Sequence, residues 1–249
     1  MSNKHSILLI CILLLTSCSH EPSSDGSSSP SPFQYPPSKY WAHRVNTIEL
    51  GREKAPLFDG LEIDINYSEW QNTLFVGHEL EDTILGLSFD AWLDSLPQPV
   101  TNCLWIDAKN LTIENAPHIA HLILNTARHH NIEKQLMVES WDENAIKIVK
   151  DSGLYVILWT DNPIFSGKTE EEWLAYTEKQ INLLHPDALS GDFLNFERLT
   201  NAFPDYNIHI WDTPRAYNDT NVAHSKNIAA HPSVKVVLVD YPSPPEIQK

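Results

Sequence analysis

Three kinds of residue are scarce in this sequence of 249 residues, and each scarcity excludes a class of protein. Of three cysteines only Cys18 and Cys103 follow residue 17, so no disulfide framework is expected. Lys and Arg total 17 against 33 Asp and Glu, with no basic run, which argues against a nucleic-acid partner. The eight glycines form neither G-x-G-x-x-G nor G-x-x-x-x-G-K, so no Gly-rich phosphate loop is predicted.

The first 17 residues have the pattern of a secretory signal peptide. A charged start precedes an apolar run from Ile7 to Leu15, which is too short to span a bilayer. The motif Leu15-Thr16-Ser17-Cys18 resembles a bacterial lipobox, which implies cleavage before Cys18 and lipidation of its thiol. The alternative is an ordinary signal peptide with a chance cysteine. We therefore expect a lipid-anchored protein of the bacterial cell envelope, with the outer membrane or periplasmic face favoured because no Asp follows Cys18.

Residues 18–38 are rich in Ser and Pro, and they predict a tether that cannot bury enough apolar surface to fold. Residues 39–249 alternate short apolar runs with amphipathic stretches. Three of these stretches predict helices: Glu114–His130, Asp142–Lys150 and Thr169–Leu184. Asp142 is a plausible N-cap for the second of them. Eight runs predict strands: Tyr40–Ala42, Gly60–Ile65, Cys103–Asp107, Gln135–Val138, Tyr155–Trp159, Ala188–Ser190, Asn207–Trp211 and Lys235–Val239.

Eight strands that alternate with helices predict an α/β protein, a compact (β/α)8 TIM barrel, in residues 39–249. An open doubly wound sheet is the alternative, although that fold usually carries a Gly-rich loop after its first strand.

Carboxylates occur where two of the predicted strands end. Glu62 and Asp64 are two residues apart, so both face the barrel interior, and Asp107 ends the next strand. Carboxylates held close together need a cation, and an all-oxygen set suits one divalent metal, Mg²⁺ or Ca²⁺. The alternative for Glu62 and Asp64 is a solvated strand edge.

Two histidines and two positively charged side chains lie near these carboxylates in the sequence pattern. His43 and Arg44 follow the first strand, and His78 follows a short apolar hairpin arm. A histidine pair suits phosphodiester cleavage, because one ring takes a proton from the attacking oxygen and the other gives one to the leaving oxygen. Arg44 and Lys109 can meet phosphate oxygens.

Aromatic residues near strand ends offer a surface for the rest of a substrate. Trp141 and Trp211 predict an apolar wall for a glycerol or lipid group, or else barrel-rim packing. Asp212 either contacts a substrate hydroxyl or caps the following helix.

Four segments together resemble the glycerophosphodiester phosphodiesterases, of the phospholipase-C-like phosphodiesterase superfamily of TIM barrels. They are Ala42-His43-Arg44, Glu62-Ile63-Asp64, His78 and Asp107-Ala108-Lys109. The resemblance implies His43 and His78 as acid and base, Glu62, Asp64 and Asp107 as metal ligands, and Arg44 and Lys109 as phosphate binders.

Three departures from that family are visible. Val45-Asn46 follows His43-Arg44, Asp107 stands in place of a Glu, and Glu79–Val100 is too short for the usual inserted subdomain. These features resemble the sphingomyelinase D and menorin-like (FAM151) branches of the superfamily. They imply a barrel without a sizeable insertion subdomain.

The sequence therefore predicts a metal-dependent phosphoric diester hydrolase that acts on glycerophosphodiesters or lysophospholipid-like substrates. We expect a monomer whose membrane contact is its N-terminal lipid anchor. The alternative is a catalytically inactive ligand-binding lipoprotein that retains the barrel. A glycosidase is less suitable, because its paired carboxylates lie roughly 5–10 Å apart across a sugar and it gives Arg44 and Lys109 no role.

Overall fold

Eight parallel strands close into a barrel in the computed structural model, which describes residues 33–81, 86–211 and 213–245. β1 pairs with both β2 and β9, and these pairings close the sheet. The prediction of a (β/α)8 barrel is confirmed, and the open sheet is excluded. The barrel strands are β1 (Tyr40–Ala42), β2 (Gly60–Ser68), β4 (Cys103–Ala108), β5 (Leu136–Ser140), β6 (Tyr155–Trp159), β7 (Ala188–Asp192), β8 (Asn207–Trp211) and β9 (Val234–Val239).

Among the residues that the structure describes, one further strand lies outside the barrel. β3 (Thr73–Val76) pairs antiparallel with the end of β2. This pairing explains why β2 continues to Ser68, beyond the predicted end at Ile65. In its described residues, the connection from β2 to β4 contains this hairpin and one short helix, as predicted for a barrel without a large insertion.

Helices surround the barrel, and within the described part of the chain none has the length and apolar composition needed to cross a membrane. They are α1 (Ile48–Lys54), α2 (Phe89–Ser95), α3 (Ala116–His130), α4 (Glu143–Asp151), α5 (Pro163–Ser166), α6 (Glu170–Leu184), α7 (Phe196–Ala202) and α8 (Asp219–Ala230).

Side-chain N-caps stabilise the starts of two predicted helices. The Asp142 carboxylate accepts hydrogen bonds from the amides of Asn144 and Ala145 at the start of α4. Thr169 and Glu172 form the reciprocal hydrogen bonds of a capping box at the start of α6. α8 was not predicted because it buries only small side chains and one isoleucine, so its sequence has no clear apolar stripe.

The apolar core has two layers, one between strands and helices and one inside the barrel. The inner layer contains Trp41, Trp105 and Met137. Gly60 is required there, because a Cβ at this position would overlap the Trp41 ring. Phe33 and Tyr35 pack against this inner layer from outside the predicted barrel domain.

Tyr35 lies near the end of the barrel at which the strands begin. Its hydroxyl is 2.5 Å from that of Tyr155, the first residue of β6, and 2.9 Å from Nε2 of His209. The domain boundary at residue 39 stays a prediction, and Cys18, residues 1–17 and residues 18–32 of the tether lie outside the described residues.

Candidate active site

A cavity of about 340 Å³ opens at the C-terminal ends of the strands. The structure brings together at this cavity every predicted site residue that it describes; Asp212 and Cys18 lie outside the described residues. The predicted residues in its lining are His43, Arg44, Glu62, Asp64, His78, Asp107, Lys109, Trp141 and Trp211.

Three carboxylates converge on one side of the cavity. Oxygens of Glu62, Asp64 and Asp107 lie within 4.8 Å of one another. Burial raises the pKa of Glu62 well above its usual value, and the charges of Asp64 and Asp107 raise it further. Burial also raises the pKa of Asp107, and Lys109 only partly opposes this. The fold therefore concentrates negative charge that a cation would stabilise.

The loop after β1 holds two of these carboxylates. The backbone amide of Arg44 donates to Oε2 of Glu62 over 2.7 Å. Arg44 has a φ of 53°, an unusual value for a residue other than glycine. Nδ2 of Asn46 donates to Oδ2 of Asp64 over 2.6 Å, and Oδ1 of Asn46 accepts from the Asp64 amide. Asn46, which departs from the family pattern, thus positions a predicted metal ligand.

Lys109 supplies one positive charge within this cluster. Its Nζ lies 2.8 Å from Oδ1 of Asp64 and 2.6 Å from Oδ2 of Asp107. Burial lowers the pKa of Lys109, but the two carboxylates outweigh burial and leave it above its usual value. One ammonium leaves the three carboxylates with a net negative charge, and their oxygens are the ligands that hard divalent cations prefer. The residues therefore fit one Mg²⁺ or Ca²⁺ ion.

The two predicted catalytic histidines have different surroundings. The side chain of His43 is only 7% exposed, with Nε2 3.9 Å from Oε2 of Glu62 and Nδ1 3.3 Å from Oδ1 of Asp240. Burial alone would raise the pKa of Asp240, but its hydrogen bond to His43 and nearby positive charges lower it. His78 is half exposed, and its Nδ1 lies 2.6 Å from Oε1 of Glu79. Asp240 thus orients His43, whereas His78 lies on the solvent side of the cavity.

Glu139 is a further buried carboxylate of the cavity, which the sequence predictions do not assign to the site. Its Oε2 accepts a hydrogen bond from Nε1 of Trp105 over 3.1 Å, and its Oε1 accepts one from the Ser190 hydroxyl. Burial and the charge of Asp107 raise the pKa of Glu139 to about 8. Alternation along β5 would have placed it inside the barrel, but the predicted strand ended at Val138.

Tryptophans form the opposite wall. The rings of Trp159 and Trp211 stack with centroids 6.3 Å apart and planes 20° apart. Nε1 of Trp211 is buried and has no hydrogen-bond partner among the described residues. Trp141 lies at the rim with 61% of its surface exposed. The wall therefore offers an apolar surface to the cavity.

Comparisons with known proteins identify the same fold. No protein-family model matches the chain, and no curated protein matches its sequence. Among solved structures, a phosphodiesterase from Oleispira antarctica in complex with the product sn-glycerol-3-phosphate is 12% identical, with a TM-score of 0.62, over 86% of this chain and 96% of that chain. A glycerophosphodiester phosphodiesterase from Parabacteroides distasonis is 14% identical, with a TM-score of 0.57, over 82% and 93%.

A third similar structure is a calcium-dependent phosphoinositol-specific phospholipase C from a Pseudomonas species. It is 10% identical, with a TM-score of 0.51, over 82% of this chain and 88% of that chain. At these identities the comparisons establish a shared barrel fold over nearly the whole domain. A shared fold does not determine function, which depends on the residues of the site.

Proposed function

We propose that this chain is a metal-dependent phosphoric diester hydrolase that acts on glycerophosphodiesters or lysophospholipid-like substrates. The observation that carries the proposal is the convergence of Glu62, Asp64 and Asp107 within 4.8 Å, beside a histidine oriented by a carboxylate. Solved proteins with this fold that are named phosphodiesterases support it.

Glu62, Asp64 and Asp107 would hold one divalent ion, Mg²⁺ or Ca²⁺. When bound, the ion supplies positive charge that offsets the charge on the phosphoryl oxygens. The calcium dependence of the similar Pseudomonas phospholipase agrees with this donor set.

The histidines supply the proton transfers. Because the Asp240 carboxylate accepts a hydrogen bond from the Nδ1–H of His43, Nε2 of a neutral His43 ring is left as a proton acceptor on the side of Glu62. His78 reaches solvent and can exchange its proton with water. One ring accepts the proton of the attacking oxygen and the other protonates the leaving oxygen.

Arg44, Lys109 and the tryptophans bind the substrate. Arg44 lines the cavity, and a guanidinium matches the geometry of a phosphate. Lys109 is already shared between Asp64 and Asp107, so it contributes charge near the phosphate. The Trp159–Trp211 stack packs against the apolar part of the substrate.

The predictions about cell location belong to the same proposal. Lipidation at Cys18 would hold a monomer to a membrane of the bacterial cell envelope, and residues 18–38 would act as its tether. Incorporation of radioactive palmitate into the wild-type protein but not into Cys18→Ser would test the anchor.

Substrate turnover tests the function directly. The protein starting at Ser19, which retains every described residue, is incubated with glycerophosphocholine, glycerophosphoethanolamine or lysophosphatidylcholine and with Mg²⁺, Ca²⁺ or EDTA. The test variant is His43→Ala, and the control is His121→Ala, an exposed histidine on α3 that contacts Asn125. We expect metal-dependent turnover, a kcat reduced about 10²- to 10⁴-fold in His43→Ala, and unchanged activity in the control.

Two other outcomes would contradict the proposal. Turnover that persists in His43→Ala would remove the histidine mechanism. The absence of turnover with every substrate and metal, together with a metal-dependent rise in Tm, would favour the inactive ligand-binding lipoprotein. That alternative has one observation in its favour, because Asn46 and Lys109 already occupy both Asp64 oxygens.

A further inference from the structure

The most exposed large hydrophobic side chains among the described residues all lie toward one end of the molecule. Seven are between 49% and 91% exposed, and each belongs to a connection that leaves the C-terminal end of a barrel strand. We call these seven residues the apolar rim: Trp70, Leu80, Ile113, Trp141, Ile164, Phe165 and Leu194.

The apolar rim follows five adjacent barrel strands. Trp70 and Leu80 follow β2, and Ile113 follows β4. Trp141 follows β5, Ile164 and Phe165 follow β6, and Leu194 follows β7; these strands are neighbours in the sheet. The rim therefore forms an arc around the cavity mouth. Leu57 and Leu183, near the C-terminal ends of α1 and α6, are less exposed and lie at the other end of the barrel.

We propose that the apolar rim docks the cavity mouth onto a zwitterionic lipid surface. Tryptophan, phenylalanine, leucine and isoleucine are the side chains that insert into the interfacial layer of a bilayer. An arc on separate loops around an open cavity can penetrate such a layer while the cavity stays over the headgroups. Docking rests on the proposed function, because it serves catalysis only if the substrate is a lipid.

Charge selects a zwitterionic surface over an anionic one. Exposed glutamates adjoin three rim residues in the sequence: Glu69 precedes Trp70, Glu81 follows Leu80 and Glu114 follows Ile113. The whole chain carries a formal net charge of −16. An anionic leaflet would repel this face, so insertion of apolar side chains has to supply the attraction.

The predicted lipid anchor is compatible with this orientation. Tyr35 lies at the end of the barrel opposite the mouth. Roughly 15 residues separate Cys18 from Phe33, and at 3.3–3.6 Å per residue they reach at most about 50 Å. The 15 residues of α3 span about 22 Å along the barrel wall. The tether is therefore long enough for the mouth to face the membrane that holds the anchor.

Flotation with phosphatidylcholine vesicles tests the docking surface. The protein starting at Ser19 is compared with Trp70→Ser/Phe165→Ser and with the control Leu57→Ser/Leu183→Ser. Neither Trp70 nor Phe165 lines the cavity. We expect wild type and control to float, the rim variant to partition at least about tenfold less, and phosphatidylglycerol to weaken binding at low salt. Turnover of water-soluble glycerophosphocholine should be equal in all three proteins, whereas turnover of vesicle-bound lysophosphatidylcholine should fall in the rim variant.

Wild-type protein that does not float, or a rim variant that floats equally well, would overturn the docking surface. Self-association that the rim substitutions abolish, without vesicle binding, would make the rim an interface between copies of the chain and would also overturn it. Turnover of glycerophosphocholine without flotation would refute docking alone. Flotation without any turnover would support docking and refute the proposed function.

Discussion

Substitution of Glu139 by Gln should stabilise the metal-free protein at high pH. The buried carboxylate of Glu139 binds its proton more tightly in the folded protein, where its pKa is about 8, than at the usual value of 4.5. The free energy of unfolding should therefore fall as pH rises above about 4.5, and this contribution should level off above about 8. Gln has nearly the same shape, and it can accept from Trp105 and donate to the Ser190 oxygen.

The magnitude follows from the two pKa values. At 1.36 kcal/mol for each tenfold change in proton affinity, the difference between 4.5 and about 8 corresponds to about 5 kcal/mol. Local relaxation and water entry reduce the penalty of a buried charge, so we expect a difference of about 2–5 kcal/mol. This difference should appear as a divergence between the wild-type and Glu139→Gln stability profiles between pH 5 and 9.

Urea unfolding in EDTA, followed by tryptophan fluorescence, measures this divergence. Glu178→Gln, an exposed substitution on α6, is the control and should follow the wild-type profile within about 0.5 kcal/mol at every pH. A Glu139→Gln profile parallel to that of wild type would refute the reasoning, because it would mean that Glu139 ionises as easily in the folded protein as in the unfolded chain.

Three further substitutions test individual contacts. Asp240→Asn should lower kcat about 10- to 100-fold with little effect on KM, because Asn cannot stabilise a positive charge on His43; an unchanged kcat in steady-state assays would contradict this. Gly60→Ala should destabilise the protein by about 1–3 kcal/mol in urea unfolding, since its methyl group would overlap the Trp41 ring, and a loss below about 0.5 kcal/mol would contradict that packing. Thr169→Ala should cost about 1 kcal/mol by the same measurement, with Thr169→Ser close to wild type; equal losses in both would show that the hydroxyl cap is not responsible.

The barrel could be predicted from the sequence because the patterns that indicate its strands and helices are local. Short apolar runs, the Asp142 cap and the Thr169 capping box each depend on residues close together in the chain. The carboxylates of β2 were predictable for the same reason, since alternation along one strand places Glu62 and Asp64 on the same face.

Contacts that depend on barrel closure could not be predicted in this way. Asp240 reaches His43 only because β9 pairs with β1, and the residues of these two strands do not indicate that they pair. Glu139 on β5 accepts a hydrogen bond from Ser190 on β7, and β6 lies between these two strands in the barrel. In the sequence Asn46 is only a departure from the pattern that the chain resembles, because its two hydrogen bonds to Asp64 depend on the folded loop.

Phosphorus NMR of the reaction mixture tests the central claim most directly. Glycerophosphocholine and lysophosphatidylcholine are each incubated with the protein starting at Ser19, with Mg²⁺, Ca²⁺ or EDTA, and the phosphorus resonances are followed over time. We predict that at least one diester resonance is replaced by a phosphomonoester or cyclic phosphate resonance when metal is present, and that EDTA prevents the change. Unchanged diester resonances under every condition would contradict the assignment as a phosphodiesterase for these substrates, and conversion that EDTA does not slow would contradict the metal site formed by Glu62, Asp64 and Asp107.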